Sequence, residues 1–460
     1  MAIALPPTQQ NPRQIAFLVL RDIYKGGFAD VILDRFLQTS HLKDLDRRFT
    51  TELVYGTVRR KRTLDAIIDQ LGKKKSHQQP PDLRIILHLG LYQLRYLTNI
   101  PPSAAINTTV ELAKENKFSG LSGVVNGLLR QYDRLAVDGK DPLILPENAV
   151  ERLGILSSFP DWIVQLWLEQ LGEEETAQLC EWMNETPVID LRINSLKVTL
   201  EEVEKAFKSA GILVRKIPHL PQGLRLIGST GAMQNLPGFK EGWWVVQDSS
   251  AQMVTHLLDP QPWEVIIDTC AAPGGKTTHI AELMGDNGRI WACDRTPSRL
   301  KKLKENAQRL NLKSIQICTG DSRHQPQFIN SADRVLLDVP CSGLGTLHRH
   351  ADARWRQTPE TVAELAVMQR ELLASGASFV KNGGILVYST CTLHPLENER
   401  VIESFLETHP NWQIEPPAPN SPLAPFTMAP GWLKVWPHRH RMDGFFMVRL
   451  RKEGDAGVSR

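Results

Sequence analysis

Val265-Ile-Ile-Asp-Thr-Cys-Ala-Ala-Pro-Gly-Gly-Lys-Thr277 joins a short apolar run to a glycine-bearing turn and then to a helical pattern. The same grammar repeats on its C-terminal side. Apolar runs at Arg289–Asp294, Ile315–Cys318, Arg334–Asp338 and Ile385–Tyr388 alternate with helical stretches at Thr277–Met284, Pro297–Leu310 and Pro359–Lys381. Strands apolar on both faces, each followed by a crossover, predict a parallel sheet covered by helices. Residues 243–452 are thus expected to form an α/β, Rossmann-like domain. In such sheets ligands bind beyond the carboxyl ends of the strands, so the loops there are where chemistry is expected.

The first loop, Cys270-Ala271-Ala272-Pro273-Gly274-Gly275-Lys276, offers backbone amides at a helix start. It is not a phosphate-binding loop: Gly275-Lys276-Thr277 fits the end of GxxxxGK[ST], but position 270 is cysteine where that motif needs glycine, and a full GxGxxG is absent. Carboxylates follow the strands: Asp268, then Asp294, placed for a ribose, Asp321, placed for an adenine amine, and Asp338. One strand-end aspartate is an ordinary turn former. Four beside a glycine loop predict an adenosine-bearing ligand without a phosphate cradle, which favours S-adenosylmethionine over ATP or NAD.

Two cysteines share that edge. Cys341 lies in Asp338-Val-Pro-Cys-Ser-Gly343 and Cys391 in Ser389-Thr-Cys-Thr392, ahead of Pro395, a predicted helix opener whose positive end would favour a thiolate. Cys180, Cys270, Cys293 and Cys318 are expected to be small packed residues. Nitrogen and oxygen acceptors need no thiol for methylation, whereas carbon 5 of a pyrimidine has no usable lone pair. A thiolate adding to carbon 6 makes carbon 5 nucleophilic. Asp338, if held protonated, would stabilise the adduct at ring nitrogen 3, and the base must leave its stack to be engaged. Spacing alone leaves open which cysteine attacks.

Residues 1–140 read as successive helices (Arg13–Lys25, Asp46–Leu71, Leu83–Leu97, one opened by Pro101-Pro102, and Ser119–Leu135) and form an expected all-helical domain. This third carries 21 Lys and Arg against 13 Asp and Glu, while the remainder carries 33 against 38. Such asymmetry suits a polyanion, and the clusters Arg59-Arg60-Lys61-Arg62 and Lys73-Lys74-Lys75 are predicted to contact RNA phosphates. Asp138–Pro146 has linker chemistry. Residues 148–242 are expected to form a small α+β module, with helices at Trp162–Leu171, Glu173–Asn184 and Leu200–Ala210 and strands at Asp190–Asn194, Val214–Ile217 and Leu224–Ile227. Of the 460 residues 42% are hydrophobic and 23% charged, too apolar for disorder. The chain shows no eighteen-residue apolar run, predicting neither a membrane span nor a signal peptide. Six cysteines without a CxxC pair argue against a disulfide scaffold or a zinc site and for a cytoplasmic location.

With these residues in hand, Cys270–Lys276, Asp338–Gly343 and Ser389–Cys391, in this order, resemble the RNA 5-methylcytosine methyltransferases of the RsmB/Nop2/Sun family. Nearly the whole chain is similar to the bacterial type that methylates a cytosine of 16S ribosomal RNA. That resemblance implies a NusB-like helical domain at the N-terminus and a last strand at Arg441–Met447. It also implies S-adenosylmethionine held by Cys270–Lys276, Asp294, Asp321 and Asp338, with Cys391 as the nucleophile and Cys341 assisting product release. A monomer without a metal is expected. Rival expectations are the same chemistry on transfer RNA or large-subunit RNA, a non-catalytic RNA-binding assembly factor, and a P-loop NTPase, which Cys270 disfavours.

Overall fold

In the computed structural model, residues 11–136, 140–228 and 230–454 are described, so Asp138 and Gly139 of the expected linker lie outside the described residues. The chain divides into two units: residues up to Glu185 with Leu347–Arg356, and Thr186–Thr346 with Gln357 onward.

The first unit is helical. Pro12–Ile23 opens as its sequence dictates, with the Asn11 side chain accepting from the Gln14 N–H and Pro12 in the first turn. Ala29–Thr39, a helix not expected from periodicity, follows. The run expected as one helix from Asp46 to Leu71 is two, Asp44–Arg59 and Lys61–Leu71, because Arg60 (φ −99°, ψ 11°) leaves helical geometry. Pro81–Tyr96, Pro102–Glu115 and Ser122–Leu135 complete a core that includes the fully buried Phe17, Leu53, Val58, Leu64, Ile86 and Leu129. Ala149–Ser157 and Asp161–Trp182, the latter kinked at Gly172, lie in this unit.

So does Leu347–Arg356, a return segment far away in sequence. Arg354 is wholly buried there, yet its guanidinium donates to the carbonyls of Ser158 (3.1 Å), Met183 (3.1 Å) and Leu347 (3.2 Å) and to Asn184 Oδ1 (3.0 Å). It also lies 3.9 Å from the Phe159 ring centre. That many acceptors make burial of the charge tolerable. The Trp355 indole N–H donates to Val58 O (2.7 Å).

The second unit holds two sheets. β1 (Ile189–Ile193), β2 (Leu213–Lys216), β3 (Gly223–Ile227) and β4 (Trp244–Val246) form an antiparallel sheet in the order β2-β3-β1-β4, with a helix at Leu200–Ser209 started by a Thr199/Glu202 capping box. β4 falls past the boundary expected at residue 242, because Leu191 pairs with Val246. β5 (Val265–Asp268), β6 (Arg289–Asp294), β7 (Ile315–Thr319), β8 (Ala332–Asp338) and β9 (Val380–Thr390) are mutually parallel, in the order β7-β6-β5-β8-β9. An antiparallel edge extends this sheet: β12 (Phe445–Lys452), which overlaps the last strand implied at Arg441–Met447, pairs β9, and β10 (Trp412–Ile414) and β11 (Leu433–Val435), not expected from the sequence, flank β12. Strand order reverses between β5 and β8, the place where such sheets open a ligand crevice.

The two sheets are tied by Arg192 of β1. It is fully buried, pairs Glu282 (2.8 and 2.9 Å), and donates to Thr278 Oγ1 (3.0 Å) and Gly275 O (2.6 Å) on the helix Gly275–Leu283.

Candidate active site

A cavity of about 350 Å³ opens beyond the strand ends, of ordinary size for a small ligand. Cys270, Ala272, Asp294, Asp321, Asp338, Cys341 and Cys391 all line it, together with Thr269, Met368 and Leu372. The glycine loop has this shape for local reasons. Gly274 has φ +104°, and a Cβ there would sit 2.6 Å from Leu303 Cγ. Thr277 Oγ1 donates to Asp268 Oδ2 (2.7 Å), while burial pushes the Asp268 carboxyl up to about 7. Asp268 therefore braces the loop from below, outside the cavity lining. Ala271 also faces inward, its N–H on Cys293 O (2.8 Å), whereas Pro273 is exposed. Burial pushes the Cys270 thiol up to about 12, which keeps it inert.

Asp294 accepts from the Thr296 N–H (2.8 Å) and stands 3.6 Å from Arg299, whose other nitrogen donates to Ala272 O (2.7 Å). Asp321 is gripped by Arg323 (2.6 and 3.0 Å), which holds its carboxyl down at about 2. Both side chains face the cavity, able to accept from hydroxyl or amine groups of a nucleoside.

The sulfurs of Cys341 and Cys391 lie 3.3 Å apart. The Cys341 thiol is raised well above its usual range by its hydrogen bond to Cys391 and by burial. A buried polar lattice holds the two loops together. Glu397 accepts from the Ser342 N–H (2.8 Å), from the Ser342 hydroxyl and from Gln369 (3.0 Å). The Ser342 and Thr392 hydroxyls are 2.8 Å apart, Asn398 Nδ2 donates to Thr392 O (3.0 Å), and Gln369 also donates to Pro340 O (2.9 Å). Each cysteine is thus followed by a residue locked into this lattice. Sequence reasoning missed Glu397, Gln369 and Asn398. The signal for two of them was the polar run Glu397-Asn-Glu399 directly after a cysteine-bearing strand end.

The helix expected at Pro395 is only a 3₁₀ turn, Pro395–Glu397, and the α-helix begins at Glu399, with its N-cap Asn398 bonded to Thr390 Oγ1 (2.6 Å) and Thr392 O (3.0 Å) on either side of Cys391. Its loop is also held by close backbone contact. Gly345 N–H donates to Cys391 O (2.9 Å) and Gly444 N–H to Gly345 O (2.9 Å), and a Cβ on Gly345 would come within 2.0 Å of Gly444 O. Asp338 meets Lys276, whose Nζ lies 2.5 Å from Oδ2, and Ser389 Oγ donates to Oδ1 (2.9 Å).

The basic clusters separate. Arg59 donates to His348 O (3.1 Å), and Arg60 lies over the Tyr96 ring. Lys61 lies near the Tyr24 and Trp355 rings, while Arg62 bonds Phe159 O and Asp161 (2.6 Å). These four side chains hold the helical unit together. Arg59 and Arg62 thus place guanidinium nitrogens on protein acceptors, and the Lys61 ammonium lies between two rings. Lys73, Lys74 and Lys75 are exposed. Among the described residues no helix is long and apolar enough to cross a membrane.

Fold and cavity together define the class, an S-adenosylmethionine-dependent methyltransferase with an RNA-associated helical domain. Residues 255–451 match the family described as 16S rRNA methyltransferase RsmB/F, residues 10–134 the NusB family, and residues 159–232 the RsmF/B-like ferredoxin-like domain. A probable ribosomal RNA small subunit methyltransferase B of Synechocystis sp. is 54% identical over 96% of this chain and 99% of its own length. Another from Bacillus subtilis is 36% identical over 93% and 95%. The crystal structure of PH0851 superposes with a TM-score of 0.79 at 28% identity, over 98% of this chain and 100% of that one. NSun6 from Pyrococcus horikoshii, solved with the S-adenosylmethionine analogue SFG, gives 0.59 at 25%, over 65% and 100%. The chain belongs to the 16S rRNA methyltransferase RsmB/F family, and its reaction is S-adenosylmethionine-dependent methylation of ribosomal RNA.

Proposed function

We propose that the chain methylates carbon 5 of a cytosine in 16S ribosomal RNA through a covalent adduct on Cys391. The observation that carries this is the pair of sulfurs 3.3 Å apart on the cavity wall. With the Cys341 thiol beside it, Cys391 attacks as the thiolate. Its sulfur adds to carbon 6 of the extruded base, and the ring's electron pair moves to carbon 5. Bound S-adenosylmethionine supplies the electrophilic methyl group. Loss of the carbon 5 proton then restores the ring double bond and expels the Cys391 thiolate, with Cys341 assisting that release. The Lys276–Asp338 pair supplies the polar contact that the adduct needs at ring nitrogen 3. Asp294 and Asp321 hold the nucleoside part of the methyl donor. The protein is read as a cytoplasmic monomer, and Lys73–Lys75 as its phosphate contacts on the helical unit.

Cys391→Ala should abolish incorporation of labelled methyl groups into RNA, and turnover in that variant removes Cys391 as nucleophile. Cys341→Ala should instead accumulate a denaturation-resistant protein–RNA adduct. Bisulfite sequencing of the RNA product identifies 5-methylcytosine, and its absence from methylated product rejects the assignment to carbon 5.

A further inference from the structure

A second cavity, of about 360 Å³, opens in the second unit between the small sheet and the segment before β12. Its rim is cationic: Arg215, Lys216 and Arg225 on one side, Arg439 and Arg441 on the other, with no carboxylate among the lining residues. Its floor is apolar and aromatic. Phe426 meets His219 edge-on at 5.7 Å and His440 at 4.9 Å between ring centres.

Arg215 and Arg225 are direct cross-strand partners on β2 and β3. Asp190 accepts from Arg225 (2.6 and 2.9 Å) and Glu201 pairs with Lys216 (2.9 Å), whereas exposed Arg215 makes no ion pair among the described residues and is the cation open to an outside anion. Met442 lines the cavity, and two residues on, the Gly444 N–H donates to Gly345 O, while the Gly345 N–H donates to Cys391 O.

We propose that this cleft binds the phosphodiester backbone of the RNA strand flanking the target base, with one neighbouring base against the Phe426–His440 floor, an inference that rests on the carbon 5 reaction proposed for Cys391. Guanidinium groups suit phosphate by fork geometry, and ring faces accept any base. The strand would then enter the active site along the backbone that positions Cys391.

The test uses the full chain and an RNA fragment containing the methylated site. R215E sets a carboxylate opposite Arg225, so folding is not put at risk, and R439E attacks the other rim. Each should raise the RNA concentration for half-maximal methylation roughly tenfold and lower the slope of log K against log salt by about 0.7 for every phosphate that the variant no longer neutralises. Phe426→Ala should weaken binding with the slope intact. Unchanged affinity and slope in both charge variants, with 5-methylcytosine still formed by the parent, overturn the cleft proposal and leave the reaction standing. A parent that forms no 5-methylcytosine overturns the reaction instead. Variants that bind naked RNA normally but fail on an assembled small subunit assign the cleft to an acidic protein surface and overturn the proposal.

Discussion

Removing the Glu397 side chain tests whether the buried lattice sets the chemistry or only the fold. In Glu397→Ala, Ser342 Oγ keeps the Thr392 hydroxyl and Gln369 keeps Pro340 O. The Ser342 N–H is left as a buried donor without an acceptor, at about 1–3 kcal/mol. A cavity adds to that loss, while release of a carboxyl whose ionisation burial already disfavours offsets part of it. The expected net is about 2 kcal/mol, which leaves the protein folded. Catalysis should suffer more. Ser342 and Thr392 directly follow the two cysteines, and a displacement of about 1 Å between reacting groups costs on the order of 10²-fold. Single-turnover transfer of labelled methyl at saturating RNA and methyl donor measures this, beside a thermal melt. Glu397→Gln, which still accepts from the Ser342 N–H, should recover most of the rate. A folded Glu397→Ala protein that turns over within about twofold of the parent refutes the idea that this lattice places the sulfurs.

Asp268 gives a prediction in pH. Its folded carboxyl is raised to about 7 against an unfolded value of about 3.9, so its contribution to stability is complete below about pH 4 and is lost as pH rises through 7. Asp268→Asn should flatten the decline between pH 5 and 7 by about 1.4 kcal/mol per pH unit, read from urea midpoints, and an unaltered slope rejects the buried-acid assignment. Gly345→Ala should cost about 1–3 kcal/mol and abolish methyl transfer, because its methyl group meets Gly444 O at 2.0 Å. Normal turnover would show that this backbone stack does not position Cys391. Reversing charge at Lys73, Lys74 and Lys75 should reduce the salt slope of RNA binding, whereas Arg62→Ala should lower the melting temperature with the slope unchanged; the opposite pattern would make the Arg59–Arg62 cluster a phosphate-binding surface after all.

The local code of this chain was readable because its chemistry sits on short continuous stretches. A strand, a tight turn and a helix start each leave a signature within a few residues, so the loop at Cys270–Lys276, the strand-end aspartates and both thiol loops were legible, and so was the parallel core from β5 to β9. Charge carries no such directional information. Arg59, Lys61 and Arg62 looked like a polyanion surface, and only their neighbours in space, including the return segment at His348–Trp355, turned them inward. The same holds for helix ends: a proline at 395 promised a helix start that a 3₁₀ turn displaces to Glu399.

The amino-acid sequence by itself determined the order of secondary structure in the catalytic sheet, the adenosine-type cofactor and the thiols available for pyrimidine chemistry. Tertiary structure alone decided that the Cys341 and Cys391 sulfurs meet at 3.3 Å, that Lys276 lies against Asp338, and that Glu397 and Gln369 bracket both cysteine loops. Those are properties of pairs far apart along the chain. Proton sharing and desolvation depend on separations of a few ångströms through space, and no periodicity or motif encodes such distances before the strands are laid side by side.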